Sequence, residues 1–529
     1  MEISNNGIRG NCVSLGARIP VSLCNERGLC EISEDFALPE YLPEIRRVLR
    51  VGAVVSKPSR YLAASSLKLS GTVDYGVLYV GSDGRVYSTS FSDDYEMSLP
   101  FDDGADRDPD CELSVIADAF ACDVTVKVTG ARKLNIRSRI GAEAKVMGEL
   151  WVHGGSELPR ESHVQRLVKT IGYSRESFGE NSEMEAVDEL ELSPGERYVC
   201  SDCRILIEGG TAHEGYAECR GTAVMRHVIE KASGELYGIS RRIPFNESVE
   251  AHEMTSGVPV TVSGRCNAII KSEGDAAGEN EAPTVTVSAH ISLAVRGYQT
   301  LCMCYVKDAF STLCENENQM RTVELPVLYS CGNKNITISE TVSSDELDGL
   351  SDTSDVKISS AVAEAVADGV ELSESGRYVI NGKCRFYLLF ERGEGEEREY
   401  FSSDTEVPFR YECAEGGALP TDCAISAQAV DVRARIDGDK LDVGCELFIA
   451  YSFGGREKVE CVDVFRMGAA LERKKGGYTV CYPDRGESLW SITKKYRAAV
   501  DATAKGNGID ASLDADSSDL TDGVRYMII

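Results

Sequence analysis

The chain has no run of apolar residues long enough to cross a bilayer as a helix, which takes about 20 in succession. Residues 1–30 hold no basic stretch followed by an apolar core, so a secretory signal is not expected. Positive charge is scarce: 56 Lys and Arg stand against 86 Asp and Glu in 529 residues, a formal net charge of -30. Such a surface repels phosphate backbones and anionic lipid, so neither nucleic acid nor membrane insertion is expected. No Gly-Lys-Ser/Thr loop is present to cradle a nucleotide phosphate. The six histidines, His153, His163, His213, His227, His252 and His290, stand apart, and none pairs with a Ser or Cys in a recognisable nucleophile motif. Acidic pairs such as Asp102-Asp103 read as surface charge. No catalytic residue, metal ligand or cofactor is assigned on these grounds, and the expectation is a protein that is not an enzyme.

Cysteine is plentiful, with 19 residues scattered singly through apolar runs, as at Cys122, Cys266, Cys384 and Cys445. A disulfide framework calls for clustered cysteines in a short secreted chain. These read instead as small buried hydrophobes in a reducing compartment, and a cytoplasmic location is expected. Cys200-x-x-Cys203 and Cys302-x-Cys304 lack the second Cys or His pair that a tetrahedral zinc site needs.

The length implies about three or four domains, and three landmarks recur in one order. Ser59-Arg60-Tyr61-Leu62 returns as Glu196-Arg197-Tyr198-Val199 and Gly376-Arg377-Tyr378-Val379. The second and third follow Glu191-Leu192-Ser193 and Glu371-Leu372-Ser373 and precede Cys203-Arg204 and Cys384-Arg385. An apolar residue followed by Pro-Phe occurs at Leu99-Pro100-Phe101, Ile243-Pro244-Phe245 and Val407-Pro408-Phe409. Counting 21 residues on from each Phe gives Cys122, Cys266 and Val430, each followed by Asp or Asn. Three tandem copies are therefore expected.

The texture of each copy is β. Val124–Val128, Val285–Ser288 and Asp431–Ile436 alternate with period two, and Gly81-Ser82-Asp83-Gly84, Ser233-Gly234 and Gly393-Glu394-Gly395 supply hairpin turns. Proline cannot donate to a central ladder, so the Pro-Phe landmark is expected on edge strands. Two segments show helical spacing: Leu42 to Leu49, and Ile358 to Ala367. Ser339 to Asp355 reads as an exposed linker. The expected fold class is mainly β, with three tandem β-sandwich or open-barrel-like modules spanning 1–155, 156–325 and 326–465. A basic linker, 466–477, and a small βααβ module, 478–529, follow.

That last module begins with a polar turn opening into a helix, Gly486-Glu487-Ser488-Leu489-Trp490-Ser491-Ile492-Thr493-Lys494-Lys495-Tyr496, with Leu489, Ile492 and Tyr496 at helical spacing. A second helix from about Ala499 to Lys505 is stopped by Gly506-Asn507-Gly508, and an Asp/Ser-rich loop leads to a final apolar strand, Val524 to Ile529. Strand, helix, helix, strand in so small a unit resembles a LysM module. Members of that family hold N-acetylglucosamine-containing glycans or, in some proteins, another protein.

The first copy carries Leu38-Pro39-Glu40-Tyr41-Leu42-Pro43-Glu44-Ile45 and then Gly71-Thr72-Val73-Asp74-Tyr75-Gly76-Val77-Leu78-Tyr79. This resembles the SPOCS family, the β-rich repeats of bacterial sporulation, coat and surface-layer proteins. The second and third copies lack the Pro-Glu-Ile segment. Three such copies followed by one LysM module are similar to the SipL-type spore-coat morphogenetic proteins. That resemblance implies a scaffold in the mother-cell cytoplasm, peripheral on the forespore outer surface and in the spore coat, whose partner is the spore-coat morphogenetic ATPase. Peptidoglycan or another N-acetylglucosamine-containing glycan is the alternative ligand.

The same resemblance places a ligand groove between Gly486, Glu487, Ser488 and Leu489 on one side and Asn507, Gly508 and Ile509 on the other, with Trp490 as packing or rim. Read from the residues alone, Ser488 or Glu487 caps the first helix. In the family the Tyr-x-Val strand ends two residues before the glycine. Here five residues lie between Val480 and Gly486, so either the strand is displaced to Val480–Pro483 or the rim differs. From Arg466 to Arg497 eight Lys/Arg (Arg466, Arg473, Lys474, Lys475, Arg485, Lys494, Lys495, Arg497) face three acids, a basic collar able to steer an acidic partner.

Overall fold

The structure is a computed structural model that describes residues 15–101, 113–155, 158–273, 284–343, 347, 350, 355–472, 477–510, 514–518, 524 and 526–529. The chain is mainly β, and all but its last part repeats one plan. The first unit comprises β1 (Gly16–Ala37), β2 (Ile45–Val55), β3 (Ser59–Leu62), β4 (Ser66–Gly81), β5 (Val86–Pro100), β6 (Ser114–Gly130) and β7 (Lys133–His153). The second has β8 (Val164–Glu191), β9 (Arg197–His213), β10 (Tyr216–Glu230), β11 (Leu236–Glu250), β12 (Val260–Glu273) and β13 (Thr284–Ser311). The third has β14 (Cys314–Ser343), β15 (Val356–Leu372), β16 (Arg377–Arg392), β17 (Glu399–Gly416), β18 (Asp422–Asp437) and β19 (Lys440–Ala470).

Each unit folds into two antiparallel sheets. In one, the long opening strand pairs with the last strand, which also pairs with the one before it: β1-β7-β6, β8-β13-β12 and β14-β19-β18. The other is a meander, β9-β10-β11 and β15-β16-β17, matched in the first unit by β2 and β3 on one side of β4 and β5 on the other. The inner faces of the two sheets meet in a core, with Tyr75, Leu69, Ala142 and Ile136 in the first unit and Phe386, Cys384, Leu447 and Cys445 in the third. A boundary between 325 and 326 would cut β14, and one after 465 would cut β19.

The sequence landmarks have distinct structural meanings. Pro100, Pro244 and Pro408 all lie on β5, β11 or β17, the edge strands of the meanders, where a missing N–H costs no ladder bond. The Cys122, Cys266 and Val430 landmark marks a β-bulge in each unit, between Ala121 and Asp123, Cys266 and Ala268, and Val430 and Arg433. The Arg-Tyr landmark does not hold one position: it lies on β3, opens β9, and opens β16. The register is carried instead by a central-strand glycine facing an aromatic ring on the edge strand, Gly71 with Tyr95, Gly221 with Phe245 and Gly382 with Phe409.

Both expected body helices are strands. Leu42 to Leu49 runs into β2, where bulges between Ile45 and Arg47 and between Val48 and Arg50 insert extra residues against β4. Two bulges so close together convert the alternation into a spacing of three and four, which imitates a helix. Ile358 to Ala367 lies in β15, where Ala361, Val362 and Ala363 are buried in succession because both faces of the strand are covered. Ser339 to Ser343 belongs to β14, and Leu347 and Leu350 are buried in the third core, so this stretch is not a plain linker. Cys384 and Cys445 are buried as expected, Cys266 is half-buried, and Cys122 is exposed at its bulge. Asp102-Asp103 lies outside the described residues.

The units close on one another. The edge strand of each meander meets the first meander strand of the next unit: β5 with β9, β11 with β15, and β17 with β2. Val86, Leu236 and Tyr400 pack there with Leu78, Val228 and Leu389. At the other end Ile19, Val152, Met303, Leu325 and Val459, drawn from all three units, form a second cluster.

A Cβ at Gly221 would stand 2.5 Å from Leu206 O and 2.6 Å from Phe245 Cζ. Gly221→Ala is therefore expected to destabilise by about 1–3 kcal/mol. Gly76→Ala, where nothing lies within 4 Å, should be neutral or stabilise by up to about 1 kcal/mol. Thermal melts of the two proteins followed by circular dichroism check the contrast.

Candidate functional site

The C-terminal unit is strand, helix, helix, strand: β20 (Val480–Cys481), α1 (Leu489–Tyr496), α2 (Val500–Gly506) and β21 (Met527–Ile528), with β20 and β21 antiparallel. Thr479 and Ile529 exchange both backbone bonds, so the ladder spans Thr479 to Cys481 and the strand stops short of Pro483. Cys481, Leu489, Ile492, Ala504 and Met527 form its core. Helix α1 starts where the sequence places it: Ser488 accepts from the Ser491 N–H at 3.1 Å, and the Ser491 hydroxyl accepts from the Ser488 N–H at 2.9 Å, a reciprocal capping box.

The eight expected groove residues take different roles. Ser488 is the cap, and Leu489 is fully buried in the core, where Ile509 packs against the same cluster. Glu487 accepts from the Asp484 N–H at 2.9 Å and pairs with Lys495 at 3.6 Å. Asn507 holds α2 to β21, donating to Ile528 O at 2.7 Å while its own oxygen accepts from the Ile528 N–H at 2.8 Å. Gly486 and Gly508 have φ of 88° and 70° and open space around them. These two glycines, with half-exposed Glu487, Asn507 and Ile509, leave an accessible rim. On the outer face of the ribbon Tyr478, Val480, Tyr482, Tyr526 and Ile528 are all exposed.

Trp490 does something the sequence did not indicate. It is 5% exposed, its ring edge-on to Phe310 with centroids 5.0 Å apart, and its indole N–H donates to Asp308 Oδ2 at 2.9 Å. Phe310 and Asp308 lie on β13 of the second unit, so Trp490 fastens the tail to the body. Lys494 reaches the same carboxylate at 2.5 Å, Arg497 donates to Asn316, and Gln165 accepts from the Val500 N–H at 3.0 Å. Opposite charges return the exchange: Lys307 pairs with Asp516 at 2.6 Å, and Lys169 pairs with Asp514 and with Asp516. Lys494 and Arg497 of the basic collar are thus engaged within the chain, while Arg473, Lys474 and Lys475 lie outside the described residues. Burial works to raise the Asp514 carboxyl, but hydrogen bonds from Lys169 and the Asp516 N–H hold it below its ordinary value. The bond to Asp516 holds the Lys307 ammonium above its ordinary value.

A second constellation was hidden from sequence reasoning because it is built across strands. Ser201 Oγ lies 2.6 Å from His227 Nδ1, and His227 Nε2 lies 3.1 Å from Asp188 Oδ2, the connectivity of a nucleophilic triad. Ser201 and His227 are cross-strand partners on β9 and β10, with their side chains on one face. That face is the core of the second unit: His227 is fully buried, and Tyr198 donates to Ser201 Oγ at 2.7 Å. Burial lowers the His227 pKa, with Asp188 opposing. The chain of bonds satisfies the buried His227, while Ser201 and Asp188 are half-exposed. Cys200 and Cys203 do not act together: Cys203 is buried in that core, and Cys200 faces the junction between units.

Comparison with family models, with curated proteins and with solved structures finds no match for this chain.

Trp490→Ala removes the anchor of the tail. The docking interface is expected to weaken by about 3–5 kcal/mol, as for other buried aromatic truncations. Hydrogen exchange should then rise in α1, α2 and β13 near Asp308 while the first unit is unchanged. The ion pairs set a pH window. The lowered Asp514 pKa stabilises docking above its ordinary value of 3.8 and is lost as pH falls through the folded value. The raised Lys307 pKa stabilises docking below 10.5 and is lost as pH rises through the folded value. Protection of α1 should therefore be flat between about pH 5 and about pH 9 and decline with added salt.

Proposed function

We propose that the chain is a non-enzymatic scaffold of endospore-envelope and coat assembly, with three SPOCS-like modules as its body and a LysM-like tail as its docking unit. The partner is the spore-coat morphogenetic ATPase, met from the mother-cell side of the forespore surface. The observation that carries the reading is the division of labour within the tail. One side, through Trp490, Lys494 and Arg497, is committed to the body. The Gly486 and Gly508 rim and the exposed tyrosines of the ribbon face outward. A unit fastened rigidly on one side, with an aromatic face on the other, suits presentation to a partner.

The glycan reading keeps one specific support. Tyr478 and Tyr482 are 88% and 72% exposed and lie on one side of β20, an arrangement able to stack on sugar rings. On that reading the chain is a peptidoglycan- or N-acetylglucosamine-binding protein of the cell wall or cortex.

Deleting residues 474–529 is expected to abolish forespore localisation and co-purification with the coat ATPase while the body remains folded. Unchanged localisation and pull-down would refute the docking role. Sedimentation of the full chain with purified peptidoglycan, lost in Tyr482→Ala, would favour the glycan reading instead.

A further inference from the structure

Where the three units meet lies a partly open cavity of about 340 Å³, adjoined by a second, more open one of about 320 Å³. Arg226, on β10, lines both. The first cavity takes Arg50 from the first unit, Asp202 and Arg226 from the second, and Glu364, Arg385 and Asp404 from the third. Most of this charge is internally balanced. Asp202 accepts from Arg204 at 3.1 Å, Glu364 lies 3.8 Å from Arg50 and 3.7 Å from Arg204, and Asp404 holds Arg385 at 2.7 Å. Asp123 also lines the cavity but is solvent-exposed.

Arg226 is the exception. Asp202 is its cross-strand neighbour but turns to Arg204. Arg226 donates from one terminal nitrogen to two carbonyls, Ala361 O and Val432 O, the latter at 3.2 Å. Its Nε is buried without a hydrogen-bond partner, and among the described residues no carboxylate comes within ion-pair distance. Arg226 is half-buried, burial works against its charge with only the more distant Asp202 opposing, and a guanidinium without an ion pair or full hydrogen bonding is costly to bury. The planar fork of Arg is shaped to donate to two oxygens of one acceptor group. The wall supplies the rest of a ligand site: apolar Val228, Val362 and Leu389 beside a few fixed polar groups, in a space of small-molecule size.

We propose that this junction binds a small oxyanion, a phosphate or carboxylate group, that accepts from Arg226 and lies in contact with all three units. The site is independent of the tail and of any partner the tail meets. Bound there, the anion supplies the counter-charge of Arg226 and ties the closure of the three units to ligand concentration, since a ligand that binds only the folded assembly stabilises it by mass action.

The test uses the full chain, titrated calorimetrically and melted with sodium phosphate or sodium succinate against sodium chloride of matched ionic strength. At least one oxyanion should bind one per chain and raise the melting temperature above the chloride control. Arg226→Met should abolish that binding. Arg226→Lys, which keeps the charge but not the fork, should weaken it at least about tenfold and keeps the test valid if the Met protein does not fold. Phosphate alone, succinate alone or both define the anion class. Neither oxyanion acting beyond chloride, or wild-type affinity in either variant, would overturn the proposal.

Discussion

Leu78, Val228 and Leu389 stand the same number of residues beyond Gly71, Gly221 and Gly382 on three central strands, and the body closes where these positions converge. Val86, Leu236 and Tyr400, likewise equivalent on the neighbouring edge strands, complete the cluster. A two-sheet unit covers only the inner faces of its sheets, so an apolar residue on an outer face needs another unit. Burying each such side chain is worth about 1.5–3 kcal/mol, and the cyclic arrangement lets every unit cover the next. The polar groups at the junction follow from this. Glu230 is fully buried and receives Arg85 of the first unit at 2.9 Å and Arg197 of its own, and Glu391 accepts the Leu236 N–H at 3.2 Å. Among the described residues lining the cavity, Arg226 has a buried donor, its Nε, left without a partner.

Local features of the body were legible because local physics decides them. Turn glycines such as Gly84 and Gly234 have φ of 82° and 84°, as tight hairpins demand, and the proline of each Pro-Phe pair lies on an edge strand. The failures also have local causes. In β2 the bulges, together with burial of Leu49 at the junction and Ile45 on the core, left Ile45 and Leu49 four apart as in a helix, and two-sided burial of β15 erased its alternation. The Arg-Tyr landmark pointed correctly to repetition but not to the repeat's phase. It follows similar turns at the start of β9 and β16 but forms the short β3 in the first unit, whereas the glycine–aromatic pairs follow from close packing across a strand pair and so track the fold. That signal was present in the sequence, as Gly71 and Tyr95 have the same spacing as Gly221 and Phe245.

Within the tail, the caps and core positions could be read from spacing, because a helix start involves only a few consecutive residues. Ser488 and Leu489 are cases of this. The partner of Trp490 could not be read. Asp308 and Phe310 are far away in sequence, and nothing about an isolated indole tells whether its partner is another part of the chain, a sugar or a second protein. The Ser201, His227 and Asp188 network was hidden for the same reason, since strand pairing joins residues from β8, β9 and β10.

The docking of the tail changes what its charge can do. As a free unit, a basic collar in an acidic chain would steer an acidic partner from a distance. In the folded chain Lys494 is neutralised by Asp308, and Lys495 by Glu487, while Arg497 is held by Asn316. The acids Asp514 and Asp516 are neutralised in turn by Lys169 and Lys307. An interface balanced in both directions orients the tail on the body and leaves less net charge to project outward. On the docking reading proposed above, recognition at the exposed side would fall to shape and apolar contact, to the glycines that keep the rim low and the tyrosines that offer broad faces with a polar tip. The tail is therefore a platform fixed on the body, its orientation set by Trp490, and on that same docking reading the exposed residues of its ribbon would supply the contact surface.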